Sequence, residues 1–216
     1  MAKSSTMMTA DQLREAERRT MISTPESVLM DRAAAAVAAE ARRASEARAG
    51  SLVRAHIVLL VGTGNNGGDA LLAGALLSTE CATVTALLFG ATAHERGLTE
   101  FTSAGGAVVH AGDAVDDAIA LVHAADCVID GIVGLNSTPG LRPPADVIVA
   151  EIPMHTAVVA VDLPSGLDPD STAADASRVH ADVTVTFTAL KRCLGSRPAS
   201  ASAGLVVLTD VGVELD

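Results

Sequence analysis

No Trp or Tyr occurs among the 216 residues and only three Phe, so Ala, Val and Leu must fill any core. The aromatic platforms on which single-stranded nucleic acids stack are missing as well. Basic residues are outnumbered: fifteen Lys and Arg face twenty-six Asp and Glu, and a net charge of −11 repels a phosphate backbone on average. The densest basic run, Arg42-Arg43 to Arg48, alternates with Glu46 and Ala and reads as the solvated face of a helix. Nucleic acid is not an expected partner.

Cysteine is scarce too. Cys81, Cys127 and Cys193 are far apart, odd in number and without CxxC or Cys/His ligand spacing, which argues against a disulfide framework or a zinc site. They read as small buried hydrophobes in a reducing compartment. The N-terminal stretch MAKSSTMMTADQ has no apolar h-region, and no uncharged apolar run reaches the ~18 residues of a membrane span. The expectation is a cytoplasmic protein with no membrane partner.

What the chain does contain is apolar material, 49% of its residues, enough for a buried core and against a disordered chain. The length suits one α/β domain over 1–216, with residues 1–8 as a loose leader. Thr9 and Gln12 fit a capping box that opens a helix to about Thr20. Thr24 as cap and Pro25 as first helical residue then start a long Ala-rich helix to about Ala49, ended by Gly50.

From there strands and helices alternate. The strand candidates are His56–Val61, Thr83–Phe89, Ala107–His110, Cys127–Asp130, Ala157–Asp162, Val183–Thr188 and Leu205–Val211. Most are continuous apolar or β-branched runs, as expected of strands covered on both faces of a parallel sheet. Helices are expected over Gly68–Thr79, Ala93–Ala104, Asp113–Ala124 and Pro143–Met154, and the Ser/Ala stretch 196–203 reads as a surface loop. The alternation predicts a Rossmann-like, doubly wound α/β fold with a mainly parallel sheet and helices on both faces.

In such sheets ligands bind beyond the carboxyl ends of the strands. Three of those ends carry dense signals. Gly62-Thr63-Gly64-Asn65-Asn66-Gly67-Gly68-Asp69 satisfies GxGxxG between a strand and a helix, where glycines let backbone N–H groups approach a pyrophosphate. The second strand ends without the Asp or Glu that holds a ribose in dinucleotide oxidoreductases, and no Lys-Ser/Thr follows as in a Walker loop. Asp130 closes an apolar strand ahead of a small-residue loop and resembles a ligand clamp or a cap. Asp162 closes another, ahead of Pro164-Ser165-Gly166; a carboxylate there is costly to bury without a partner. Ser165 does not lie in GxSxG, and His56, His94, His110, His123, His155 and His180 show no HExxH spacing.

Together these residues resemble the NAD(P)H-hydrate epimerase family, the YjeF N-terminal domain. Its pattern of GxGNNGGDG, DxxxG, VDxPSGxD and ADxTVTF followed by Lys reads here as Gly62–Ala70, Asp130–Gly134, Val161–Asp168 and Ala181–Phe187 with Lys191. Leu13-Arg14, Glu17 and Leu29-Met30 also fit, so the resemblance covers about residues 9–213. Ala70 stands where Gly is common and Thr63 where Pro or Ser is. The loop from Asn136 to Pro139 lacks the basic residue of some members, with Arg142 the nearest cation.

The resemblance implies interconversion of the R and S forms of hydrated NADH or NADPH, a homodimer, a separate or fused NAD(P)H-hydrate dehydratase as functional partner, and K⁺ as cofactor. It places the K⁺ ligands on Asn66, Asp130 and Ser165. Substrate contacts fall on Asn65, Asn66, Gly67, Gly68 and Asp69, on Gly134, Leu135, Asn136, Ser137, Thr138, Pro139 and Gly140, and on Asp162. Carbon 6 of the hydrate is a carbinolamine: the ring nitrogen can expel its hydroxyl, and water returning to the other face inverts the centre. That exchange needs a proton donor and acceptor, and Asp162 is the expected catalytic residue. The alternative is a non-catalytic dimeric scaffold of the same fold, such as the relative of this domain in an mRNA-decapping scaffold.

Overall fold

Residues 7–81 and 83–215 are described by a computed structural model. Seven strands form one sheet: β1 (His56–Val61), β2 (Thr83–Leu88), β3 (Ala107–His110), β4 (Cys127–Gly131), β5 (Ala157–Val161), β6 (Val183–Phe187) and β7 (Leu205–Thr209). Their order is β3-β2-β1-β4-β5-β6-β7, and every pairing is parallel. The order reverses between β1 and β4. There the connections leave toward opposite edges and a crevice opens beyond the strand ends.

Alternate residues of β1 explain the two layers. Ile57, Leu59 and Val61 join the core cluster with Met30, Val37, Ala38 and Ala41 of α2 (Glu26–Ala49), Leu71 and Leu77 of α3 (Asn65–Ser78), and Phe101 of α4 (Glu95–Ser103). Val58 and Leu60 face the other way, onto Ala118 and Val122 of α5 (Val115–Ala124) and Ile148 of α6 (Ala145–Ala150). Burial on both faces is why the strands read as unbroken apolar runs. The buried alanines of α2 give it the short side chains that close packing on a sheet requires.

α1 (Ala10–Thr20) opens with the expected capping box, Thr9 and Gln12 each bonding the other's backbone. Other boundaries differ from the sequence reading. Pro25 is the cap residue of α2 and not its first helical residue, and no side chain caps that end. α3 begins at Asn65, three residues earlier than Gly68: Gly64 is the last extended residue, and Asn65, Asn66 and Gly67 lie in the first turn. The helix expected over Pro143–Met154 shrinks to α6, with Pro144 at its cap. The stretch 196–203 is a surface loop only in part: residues 196–198 and Ala201 are exposed, but a 3-10 turn over Ala199–Ser202 follows α7 (Arg192–Gly195), and Ala199, Ser202 and Ala203 are buried.

Of the leader, residues 1–6 lie outside the described residues. Met7 and Met8 are tied down, Met7 bridging to Leu190 and the Met8 N–H donating to the Leu190 carbonyl. This anchoring, with the Ala10 N–H on Asp170 Oδ1 at 2.9 Å, lays α1 across the mouth of the sheet. Among the described residues no helix is long and apolar enough to cross a membrane.

Candidate active site

The turn after β1 is closed by contact that only glycine permits. A Cβ on Gly62 would lie 1.8 Å from the Ile132 carbonyl oxygen, and one on Gly67 would lie 2.1 Å from the Gly62 oxygen. The N-terminus of α3 is therefore pressed onto the strand ends, and its first-turn N–H groups, which have no helical partners, point out of the sheet.

Next to it Asn66 bridges two motifs. Its Nδ2 donates to the Val161 carbonyl at 2.7 Å, leaving Oδ1 as the amide's acceptor. The amide lies flat on Gly134, where a Cβ would come within 2.3 Å of Oδ1. One residue back, the Val133 N–H donates to Ser165 Oγ at 3.0 Å. Ser165 in turn donates through Oγ to Asp130 Oδ1 at 2.7 Å and through its N–H to Oδ2 at 2.8 Å. The motifs carrying Asn66, Asp130 and Ser165 thus meet through Val133 and Gly134.

Asp130 is fully buried. Burial raises its carboxyl to about 6, against the lowering effect of the Ser165 and Ile132 hydrogen bonds. Among the described residues no Lys or Arg pairs with it. A buried carboxylate without a cation, beside hydroxyl, amide and carbonyl oxygens, is the donor chemistry a hard monovalent ion takes, so the residues fit K⁺. Among the described residues no group of three or more His, Cys, Asp or Glu could hold a metal.

Asp162 follows β5 in an unusual backbone. Its φ is 69°, and the Leu163 N–H closes a three-residue turn onto the Val161 carbonyl at 2.8 Å. Such turns are rare and strained for a side-chain-bearing residue, costing about 1–3 kcal/mol. The carboxylate is held by an ion pair with the buried Lys191 Nζ and by the Thr186 hydroxyl at 3.3 Å. Lys191 completes its donors on Thr186 Oγ1 at 2.9 Å and the Phe187 carbonyl at 3.1 Å.

These groups line or underlie a cavity of about 410 Å³ at the crevice. Its walls include Thr63 to Asn66 and Asp69 of the first motif, Ile132 to Asn136 of the second, Asp162 of the third, and Arg14 and Glu17 of α1. Of the residues expected to contact substrate, Asn65, Asn66, Asp69, Gly134, Leu135, Asn136 and Asp162 face this cavity. Gly67, Gly68, Ser137, Thr138, Pro139 and Gly140 do not. Gly67 packs on Gly62, Gly68 on His94 and Met30, and Gly140 on Ala176 beyond the far end of the loop.

Several lining groups carried no expected role. Arg14, rather than Arg142, is the cation at the second loop: its Nη2 donates to the Leu135 carbonyl at 2.6 Å. Glu17 is half-buried with its carboxyl raised by burial and by Asp162. Glu26 accepts from Asn65 Nδ2 at 2.8 Å. The only sequence signal for Arg14 and Glu17 was their fit to the family pattern, because a polar helix face looks alike whether it meets solvent or a cavity.

Residues 26–193 match the family model described as YjeF-related protein N-terminus. Over 207 residues the chain is 39% identical to the bifunctional NAD(P)H-hydrate repair enzyme Nnr of Mycobacterium tuberculosis, covering 95% of this chain and 41% of that one. Over 170 residues it is 41% identical to an NAD(P)H-hydrate epimerase of Clavibacter michiganensis, covering 74% of each. The chain thus spans well under half the length of the bifunctional relatives. In fold it is similar to the crystal structure of the yeast protein ynu0, with a TM-score of 0.76 at 20% identity over 95% of this chain and 87% of that one.

Proposed function

Because this chain belongs to the family of YjeF-related protein N-termini, we propose that it is an NAD(P)H-hydrate epimerase, interconverting the R and S hydrates of NADH and NADPH. One observation carries the reading: the helix N-terminus at Gly64–Asn66, the loop Gly134–Asn136 and the carboxylate of Asp162 line one cavity above the buried Asp130–Ser165 pair.

Each part has a task. The first turn of α3 offers N–H groups to the pyrophosphate. The hydrated ring then lies toward Asp162, where negative charge stabilises the cationic iminium left when the hydroxyl departs. Asp162 accepts the proton shed when water returns to that carbon. Lys191 and Thr186 fix the direction of its carboxylate, and Arg14 holds the loop at Leu135 that closes one side. Asn66, Asp130 and Ser165 would hold K⁺, whose charge would offset that of Asp130 and brace the two loops.

The same proposal takes a homodimer as the assembly, the cytoplasm as the compartment and a fused or separate NAD(P)H-hydrate dehydratase as functional partner. Curated relatives named as bifunctional repair enzymes support that pairing. The test is direct: purified R-hydrate is incubated with the protein and K⁺, and the S epimer is followed by chromatography. Conversion no faster than in buffer rejects the enzyme reading and leaves the scaffold.

A further inference from the structure

We propose that Asp69 is a second proton-transfer residue of this site, a neutral carboxylic acid that protonates the departing hydroxyl while Asp162 serves the water entering on the other side. The inference rests on the epimerase reading above.

Its position is the first ground. Asp69 is the fifth residue of α3, past the turn whose N–H groups lack partners, so its carboxyl caps nothing. It lines the cavity at 6% exposure, and its Oδ1 is buried with no hydrogen-bond partner among the described residues. A charged carboxylate so placed would be uncompensated, whereas a carboxylic acid holds a donor ready for a ligand.

The surroundings favour the acid form. Burial, then the carboxylates of Asp162, Glu17 and Glu26, raise Asp69 well above the usual range. Those three groups face it from β5, α1 and α2. The nearby cations bond other groups: Lys191 bonds Asp162, and Arg14 bonds Asp11 and Leu135 through its two Nη atoms, its buried Nε having no partner among the described residues. His94, which packs on Gly68, spends its Nδ1 on the Gly97 N–H. Neutrality at Asp69 also spares the pyrophosphate a negative neighbour.

The chemistry asks for two such groups. Inversion through an iminium removes oxygen from one face of carbon 6 and adds water to the other, and one carboxyl cannot reach both faces of a held ring. Sites that exchange groups across a ring commonly divide the work between two carboxyls whose environments set opposite protonation states. Here Asp162 is paired with an ammonium, while Asp69 has carboxylates for neighbours.

The step balances. The Asp69 O–H gives its proton to the C6 hydroxyl as the C–O bond breaks, its electron pair leaving with water. The nitrogen lone pair forms the C=N bond. Water then adds to C6, its lone pair making the new C–O bond as the C=N pair returns to nitrogen, and its surplus proton passes to Asp162. Asp69 ends charged and Asp162 protonated, and solvent in the cavity returns the proton between turnovers.

The test compares the parent chain with Asp69→Asn in K⁺ buffer, using R-hydrate and H₂¹⁸O. For Asp69→Asn we expect kcat to fall by about 100-fold or more with KM little changed, and label incorporation at C6 to fall in parallel. Should that variant fail to fold, the parent's pH profile decides: kcat should decline at high pH with an apparent pKa above the carboxylate range, and a flat profile there overturns the proposal. Parent-like kcat in Asp69→Asn overturns it too, with the epimerase reading intact. A parent that does not epimerise at all defeats both.

Discussion

Asp162 and Lys191, 29 positions apart, form a buried ion pair at the carboxyl edge of β5 and β6. The pair explains how a carboxylate survives at 4% exposure in a left-handed backbone: Lys191, itself 1% exposed, directs all its described hydrogen bonds to Asp162, Thr186 and Phe187.

Lys191→Met removes one partner and strands the other. The expected cost is about 3–5 kcal/mol, the usual penalty for a buried charge left unpaired, read as a lower midpoint in urea. Asp162→Asn is expected to abolish epimerisation, and undiminished turnover in that variant removes Asp162 from the mechanism.

Gly134→Ala tests the bridge between motifs. The new methyl would sit 2.3 Å from Asn66 Oδ1, so the amide must move off the Val161 carbonyl. Epimerisation is expected to fall by about tenfold or more, since loss of a placed group of this kind is worth about 1–3 kcal/mol. The far-ultraviolet spectrum should be unchanged, because the contact lies outside the core layers. An active variant with parent kinetics would show that Asn66 has no part in the site.

Potassium should raise the melting temperature of the parent, with saturation, while lithium at equal ionic strength should not. A ligand that binds only the folded state stabilises by mass action, about 2.7 kcal/mol at a hundred times its dissociation constant. Asp130→Asn should lose the response. Equal shifts with both ions would count against a K⁺ site.

Stability should also depend on Asp69. An unfolded Asp titrates near about 3.9, and the folded group holds its proton to higher pH. Between those values the folded state binds more protons, so the parent loses stability as pH rises from about 4 through the folded value. Asp130, raised to about 6, and Glu17 act with the same sign in both parent and variant. Asp69→Asn should therefore gain stability relative to the parent as pH rises through that window, measured by denaturant titration. A difference independent of pH would mean that Asp69 is charged throughout.

Much of this was legible in the chain itself. Unbroken runs such as Ile57–Val61 and Val158–Val161 announced strands covered on both faces, because apolar periodicity is a local property. The Thr9 capping box was equally local, and the glycine spacing of Gly62–Gly68 could be read in the chain, although the contacts that require Gly62 and Gly68, with Ile132 and with His94 and Met30, are tertiary. Tertiary structure decided the rest. Which of Asn65 to Gly68 face the cavity depends on how the first turn of α3 packs, with Gly67 against Gly62 and Gly68 against His94 and Met30. Lys191, Arg14 and Glu17 acquired their places only when β6 and α1 were brought to the mouth of β5. Electrostatic and steric partnership falls off with distance in space, and distance along the chain says little about it.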